Sequence, residues 1–477
     1  MKDKNHFGRL LVILLMTWGA CIGLYWLPTE LLGFSVRKVD LLSDIRVEPA
    51  NASLDLPEQA LETEEQPAPK FDSVQIRNDS VRQVVRRDSL YQTMASTLDV
   101  DSAQVRIEDF SPGHRGLSRF FAALNRIDVM NRPVRIAFWG DSFIEGDILV
   151  ADFRVKMQEH FGGRGVGFVP VASEVEQYRP TIYQRSKGWV SHSFLSDHKY
   201  KYALPSLLFE PEADEASITF KTVNAYPGLD KVASLKFIYA RNEQSEMRLI
   251  CNDTKDTVIR ELSPTNSITQ YEMEGLFADG KLRFRNAKGL QALGIALEDN
   301  EGVVVDNFAL RGNSGVTLNR LDENSCRALY EIRPYDLIVL QYGLNVASET
   351  VREYGWYRDE FVEVIRHVQQ CFPETDILLL SVSDRSHYHE GAFCTMPSVV
   401  ALMRAQRQAA EQAQVAFWNV YQAMGGENSM VRYVKHHWAS KDYTHLSFRG
   451  GREIATALFD ALILEMELYD EMEKTED

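Results

Sequence analysis

Four predominantly apolar runs, separated by segments of helical spacing, decide what this chain can fold into. They are "VRIAFWG" ending at Gly140, "DLIVLQYG" (Asp336–Gly343), "DILLLSVSD" and "VAFWNVY". "GWYRDEFVEVIRHVQQCF" and "VALMRAQRQAAEQAQ" lie between them and read as helices. "GGREIATALFDALILEMELY" follows the last run and places Ile454, Leu458, Leu462 and Ile463 on one face. Strands apolar on both faces that alternate with helices form a mostly parallel sheet covered on both sides, so the expected fold class is α/β.

Between the first run and the others, from Tyr178 to Glu301, the pattern changes. "SITFKTV", "ASLKFIYA", "MRLICN" and "KLRFRNA" alternate apolar and polar residues, and turn signals such as "YPGLD" and "ADGK" separate them. Short alternating strands spaced by turns predict a β-sandwich inserted into the α/β domain. Surface loops tolerate such insertions.

The amino terminus has a different character. Lys2, Lys4 and Arg9 precede an apolar run from Leu10 to Leu27. Roughly 18 apolar residues suffice to span a bilayer as a helix, and the basic flank leaves the amino end in the cytoplasm. No small-x-small cleavage site precedes Pro28, so the run reads as an uncleaved anchor ahead of the alternative, a signal peptide. "WGAC", ending at Cys21, only faintly resembles a lipoprotein processing site, with Trp18 where Leu is favoured. Val47 to Lys70 is acidic and poor in large apolar residues, as a solvated linker is. The expected organisation is a cytoplasmic end (1–9), a transmembrane anchor (10–28), a juxtamembrane segment and linker (29–104), the first part of the α/β domain (105–177), the insert (178–301) and the second part (302–477). The formal charge of −16 argues against a general nucleic-acid binder. Cys251, Cys326, Cys371 and Cys394 are scattered, with no C-x-x-C pattern, and leave both thiols and disulfides open.

The chemistry lies where the strands end. "IAFWGDSFIEGDIL" turns sharply at Gly140-Asp141-Ser142, at the carboxyl edge where open α/β sheets bind ligands. Read alone, the tripeptide is a helix cap; near a helix amino terminus, Ser142 is also placed as a nucleophile. Later strands end in "NFALRGNSG" with Gly312, "QYGLN" with Asn345, and "KDYTHLSFRGG" with Asp442 and His445. A serine hydroxyl needs a base, a histidine suits near neutral pH, and a carboxylate orients it. Asp442 lies three positions before His445, so one loop presents both. The amides of Ser142 and Gly312 and the side-chain amide of Asn345 are candidate donors to a tetrahedral oxyanion. Each residue alone has a plainer role as cap or turn; four clusters in order, each at a strand end, favour catalysis.

The ordered set Gly140-Asp141-Ser142, Gly312, Gly343-x-Asn345 and Asp442-x-x-His445 resembles the SGNH, or GDSL, hydrolase superfamily over Arg132 to Phe459, the β-rich stretch excluded. That resemblance implies a flavodoxin-like three-layer α/β/α sandwich and ester hydrolysis through an acyl-enzyme. It implies Ser142 as nucleophile, His445 as base, Asp442 as its orienter, and Gly312 and Asn345 in the oxyanion hole. "GDSFIEGD" and "FGGRGVGFVP", followed by the insert, are similar to the peptidoglycan O-acetylesterase branch, whose members carry a carbohydrate-binding-like insert between the first two blocks. The chain departs from that branch at Phe143, where His is common, and at Glu145-Gly146.

The expectation is a membrane-anchored, extracytoplasmic serine esterase acting on an acetylated cell-envelope polysaccharide, with no cofactor and no metal. Two other classes fit the same residues, a polysaccharide O-acetyltransferase and a non-catalytic glycan-binding scaffold. His387, His389, His436 and His437 lie in polar, loop-like stretches without a carboxylate constellation and read as solvated. "KLRFR" (Lys281 to Arg285) is a strand with one wet face or a contact for an anionic glycan. Tyr178, Tyr183 and Trp189 are candidates for sugar stacking or for packing.

Overall fold

The apolar runs form one six-stranded sheet in the computed structural model, which describes residues 30–31, 34–35, 73–97, 104–251 and 257–476. Its strands are β1 (Glu108–Asp109), β2 (Val134–Gly140), β3 (Val303–Ala309), β4 (Leu337–Gln341), β5 (Asp376–Leu380) and β8 (Ala416–Trp418). A separate hairpin, β6 (Ser386–His389) and β7 (Ala392–Thr395), follows β5. The sheet order is β3-β2-β4-β5-β8-β1, parallel throughout except for β1 at the edge. This is the flavodoxin-like order, in which the connections change direction between β2 and β4 and open a crevice at the carboxyl ends. Gly140 pairs with Ala309 on one side and Gln341 on the other. Three strands therefore end level, and the residues after them emerge side by side.

Six helices matter here: α1 (Ser73–Thr97), α2 (Ser118–Asn125), α3 (Val150–Phe161), α4 (Glu323–Ile332), α5 (Gly355–Cys371) and α6 (Pro397–Ala413). The four-residue helix Val420–Ala423, the short α7 (Ser429–Lys435) and the long α8 (Phe448–Glu476) follow. α3 packs on α8, and α5 packs on α4 and α6. Burial of Ile136, Phe138, Val339, Leu378, Leu379 and Phe417 against these helices makes the core, as strands apolar on both faces require.

Between β2 and β3 the chain builds two antiparallel sheets. One has the order Thr269–Phe277, Val232–Arg241, Gln291–Glu298, Leu207–Pro211, Trp189–Ser193; the other Thr257–Glu261, Glu246–Ile250, Asp279–Arg285, Ala216–Lys221, Tyr183–Lys187. Leu235, Phe237, Ile295 and Leu297 of the first share a core with Ile218, Phe220, Leu249 and Leu282 of the second. The first sheet starts earlier than Tyr178: Gly167–Pro170 pairs with Gln291–Glu298. The glycine-rich segment before it had masked a four-residue strand. In "KLRFR", Leu282 and Phe284 are buried while Arg283 and Arg285 are exposed, which is the one-wet-face pattern.

Charged residues join the two kinds of sheet. Glu298 is enclosed by Arg333 (2.5 and 3.0 Å), Arg135 (2.9 Å) and Lys236 (3.0 Å). Asp306 of β3 accepts from Arg333 (2.7 and 2.8 Å), Tyr335 (2.8 Å) and the Phe168 amide (2.7 Å). Burial alone would raise the Glu298 carboxyl, but Arg333, Arg135 and Lys236 hold it well below its ordinary range.

The chain divides into two compact units, 1–71 and 72–477. In the first, Glu30–Leu31 pairs with Phe34–Ser35. The Leu10–Leu27 run expected as an anchor lies outside the described residues, as does the acidic stretch Val47 to Lys70. Among the described residues no helix is long and apolar enough to cross a membrane. The expected linker 29–104 is corrected over 73–97, which is α1. Its mostly polar sequence hid it, and tertiary contacts hold it. Tyr91 packs with Leu468 and Met472 of α8, donates to Glu465 (3.0 Å) and stacks on His114, while Arg87 pairs with Glu473 (2.8 Å).

Candidate active site

Gly140 ends β2 where no other residue fits: a Cβ there would stand 2.8 Å from the Gln341 carbonyl and 2.9 Å from Ile144. The chain then turns, with Ile144 N bonding Asp141 O and Glu145 N bonding Ser142 O, both at 3.4 Å. A short 3₁₀ turn, Glu145–Asp147, follows, and α3 starts only at Val150. The expectation that Ser142 stands at a helix amino terminus is therefore corrected: Gly146 and Asp147 both adopt left-handed φ (64° and 66°) and break the helix before it can reach Ser142. Asp147 anchors this turn. It is fully buried and bonds Asn307 (2.7 Å), Arg154 (3.2 Å) and Arg179 (3.0 Å). Burial would raise its carboxyl, and the charges of Arg154 and Arg179 with bonds from Thr181 and Asn307 hold it far below its ordinary range.

The loop before α8 meets this turn. Gly451, in the first turn of α8, lies so close to the Ile148 carbonyl that a Cβ would stand 1.9 Å from it. This contact brings His445 to Ser142. Ser142 Oγ lies 3.3 Å from His445 Nε2, and His445 Nδ1 lies 2.8 Å from Asp442 Oδ2. With the Nδ1 proton shared with the carboxylate, Nε2 is left to accept the serine proton. A 3.3 Å separation is long for such a bond, as catalytic bonds often are before substrate is in place. Asp442 Oδ1 accepts from the amides of Thr444 (2.9 Å) and His445 (3.0 Å). Partial burial would raise the Asp442 carboxyl; the His445 amide, Ser440, the imidazole and the Thr444 amide together hold it far below its ordinary value. It stays ionised wherever the imidazole needs it. The His445 and Asp442 side chains are 46% and 49% exposed, open to a large substrate.

Asn345 sits on the other side of Ser142's turn, after β4. Both protons of its Nδ2 are engaged, one by Asp141 Oδ2 (3.0 Å) and one by Asn313 O (2.9 Å). To serve an oxyanion, Asn345 has to share or exchange one of them. Gly312 is exposed in the turn Leu310–Asn313 at φ 77°, and nothing stands within 4 Å of its missing Cβ. Among the described residues, the amides of Ser142 and Gly312 meet no acceptor. Ser142, Gly312 and Asn345 thus emerge from strand ends at one sheet edge, whereas Asp442 and His445, expected at a strand end too, come from the loop between α7 and α8; Ser142, His445 and Asp442 form a direct relay.

Sequence reasoning missed what holds Asn345. Asp141 is fully buried, and besides Asn345 it accepts from the Phe143 amide (2.9 Å). Burial pushes its carboxyl up to about 6, against the Phe143 amide, the His445 charge and Asn345. Its position beside Ser142 was the available signal; its partner, 204 residues on, was not readable. Among the candidate histidines, His387 and His389 lie on β6, a strand rather than a loop, and His436 and His437 follow α7. No metal-binding cluster is present among the described residues. Trp189 packs edge-on against Phe284 and donates to Ser217 O (3.1 Å), whereas Tyr178 and Tyr183 are exposed. Cys251, Cys326, Cys371 and Cys394 are thiols.

No family model matches the chain, and no curated protein matches it by sequence. Solved structures do. A structure titled "Peptidoglycan O-acetylesterase in action" superposes with a TM-score of 0.60 at 20% identity, over 76% of this chain and 99% of that one. The likeness is one of fold. A family two carbohydrate esterase from Cellvibrio japonicus matches 60% of this chain and 99% of its own at 12% identity, with a TM-score of 0.26. An acetyl xylan esterase matches 34% of this chain and 81% of its own at 16% identity, also at 0.26. At those two scores the similarity is too partial to bear on the fold. The strand order is flavodoxin-like, and the chain shares its fold with that O-acetylesterase structure.

Proposed function

We propose that this protein is a serine esterase that removes O-acetyl, or similar short acyl, groups from a cell-envelope polysaccharide, and that peptidoglycan is the substrate. The observation that carries the reading is the Ser142–His445–Asp442 relay, with 3.3 and 2.8 Å steps, at the switch point of the parallel sheet. The fold likeness to a peptidoglycan O-acetylesterase supports the substrate class.

In this reading Ser142 Oγ attacks the ester carbonyl carbon while His445 Nε2 takes its proton. The amides of Ser142 and Gly312 and the Asn345 side chain stabilise the oxyanion. Collapse of the tetrahedral intermediate breaks the bond to the sugar oxygen, which leaves as a hydroxyl with the proton from His445. Water, deprotonated by His445, then attacks the acyl-serine and releases acetate. The half-exposed triad suits an ester on a long chain, and the Leu10–Leu27 segment would tether the enzyme to the membrane facing that polymer.

The test is acetate release from O-acetylated peptidoglycan by the full chain beside Ser142→Ala. Release that requires Ser142 supports the reading. Acetyl appearing on a second glycan hydroxyl in place of free acetate would make the site a transferase, and no turnover together with no labelling by a serine-reactive phosphonate would leave a binding protein.

A further inference from the structure

The relay leaves one built element at the catalytic edge unused. Between the block that carries Asn345 and the loop that carries Asp442 and His445 stands the β6–β7 hairpin. It pairs from Ser386↔Thr395 to His389↔Ala392 around Glu390 (φ 47°) and Gly391 (φ 91°), the left-handed pair that a tight two-residue turn needs. A lone two-stranded hairpin is barely stable in water, and this one is fastened at its base. Buried Asp384 accepts from Thr395 (2.9 Å), Ser429 (3.2 Å) and the Met430 amide (2.7 Å). The hairpin is also tied to the site: Ser386 N donates to Tyr443 O (3.1 Å), and Arg385 reaches Leu344 O (3.5 Å).

Strand alternation puts Tyr388 and Phe393 on one face of the hairpin and the two histidines on the other. Phe393 stacks flat on Tyr443, with ring centroids 3.7 Å apart and planes 9° apart, and Tyr388 meets Phe393 edge-on at 5.3 Å. Tyr443 lies between Asp442 and His445 at φ 56°, a conformation that lasts only where neighbours hold it. The hairpin holds both its ring and its carbonyl. Yet Tyr388 remains 65% exposed and Phe393 38%. Single exposed aromatics are ordinary. Three in contact, ending on the loop that carries the base, forgo burial at the one edge where a substrate must lie.

We infer that Tyr388 and Phe393, backed by Tyr443, form a sugar-ring subsite that binds a pyranose of the acylated glycan beside the ester under attack. The inference rests on the esterase reading above and names where the polymer is gripped. A pyranose has a face of C–H groups that lies flat on an aromatic ring, and hydroxyls at its rim that suit a tyrosine's polar tip. Aromatic side chains have few torsions to freeze, and the fastened base makes the surface rigid before substrate arrives.

The test uses the full chain and Tyr388→Ala, whose exposed ring can be removed without disturbing the Phe393–Tyr443 stack. Calorimetry measures binding of de-O-acetylated peptidoglycan strands; steady-state kinetics measure hydrolysis of O-acetylated strands and of ethyl acetate. Tyr388→Ala should weaken strand binding and raise the KM for strands roughly tenfold, the scale of one lost stacking contact. The kcat on strands and all turnover of ethyl acetate should be unchanged, and Tyr388→Trp should restore the strand KM. Unchanged strand affinity and KM would overturn the inference, as would an equal loss on ethyl acetate, which would make Tyr388 a support for the loop. A fall in sedimentation coefficient with strand affinity intact would make the patch a contact between copies and overturn it too. If the wild-type chain cleaves neither ester, the esterase reading fails separately, and the strand-binding comparison still decides the subsite.

Discussion

At the junction with the antiparallel sheets, Glu298 and Asp306 are wholly buried and ringed by Arg333, Arg135, Lys236 and Tyr335. At the carboxyl edge of the same parallel sheet, Asp442 and His445 stand about half exposed on a turn, and Asp442 is held by backbone amides. Both sites set a carboxylate within 3 Å of a side-chain nitrogen, but they differ in what removal leaves behind. Enclosed carboxylates that lose a cation are stranded in a medium of low polarity. An exposed pair that loses a partner is rehydrated. Charge therefore ties the molecule together at the junction, while at the edge it leaves a proton free to move.

The largest effects should fall on activity alone. Ser142→Ala and His445→Ala should each lower kcat by about three or more decades, and the double variant little further, because the residues act as a unit. Their thermal midpoints should match wild type, since both positions are open to water. Near-wild-type turnover by a folded Ser142→Ala protein would break the comparison at its catalytic end.

Next is the junction. Arg333→Met leaves Glu298 and Asp306 without their main counter-charge and should cost about 3–5 kcal/mol of stability, read from denaturant midpoints. Turnover per folded molecule should persist, because Arg333 touches neither the relay nor Asn345. An unchanged midpoint would show that the junction charges are as dispensable as surface ones.

The two regions also differ in how far they can be read from sequence. Much of the edge was legible because Ser142, Gly312 and Asn345 each follow an apolar strand, and strand ends of a parallel sheet converge, while Asp442 and His445 stand in a loop between two helices just before the last one. The residue type then suggested the role: Ser142, Asn345, and Asp442 three positions before His445. The junction was not legible. Glu298, Asp306 and Arg333 sit in or beside apolar strands, and only the tertiary fold shows that they meet. The same reason hid Asp141's hold on Asn345, the docking of α1 through Tyr91, and the stack of Phe393 on Tyr443. Local periodicity reports an element; it does not report a partner hundreds of residues away.

Asn345 gives a third, smaller contrast. Asn345→Ala should cost about 2.7–4 kcal/mol of transition-state stabilisation, as for one lost oxyanion donor, seen in kcat with KM little changed. Its two present partners, Asp141 and Asn313 O, make the same substitution mildly destabilising, because buried Asp141 keeps only the Phe143 amide. A raised KM with intact kcat would make Asn345 a substrate-binding residue.

Asp141 sharpens the comparison most, with the smallest effect. It is as buried as Glu298, yet hydrogen-bonded to no cation, and its carboxyl is pushed up to about 6 instead of down. A carboxyl whose folded value is raised contributes stability that is fully present below its unfolded value of about 4 and is lost as pH rises through 6. At pH 8, Asp141 is thus an ionised group kept at a cost. Asp141→Asn removes that charge and should raise the thermal midpoint at pH 8 by roughly a few degrees. The gain should vanish near pH 4, where the wild-type carboxyl is neutral too. The same variant should lose activity at pH 8, on the order of tenfold. An amide offers one acceptor in place of two, so either Asn345 or the Phe143 amide loses its bond and the Asn345 donor drifts. Midpoints taken at pH 4, 6 and 8 beside kcat at pH 8 separate the two effects. Stability gained as pH rises from 4 and level once pH passes 6, with activity lost, would mean that the catalytic edge retains a costly buried charge to aim a donor. A midpoint lowered at every pH would put Asp141 with the junction carboxylates, as a group that holds the fold.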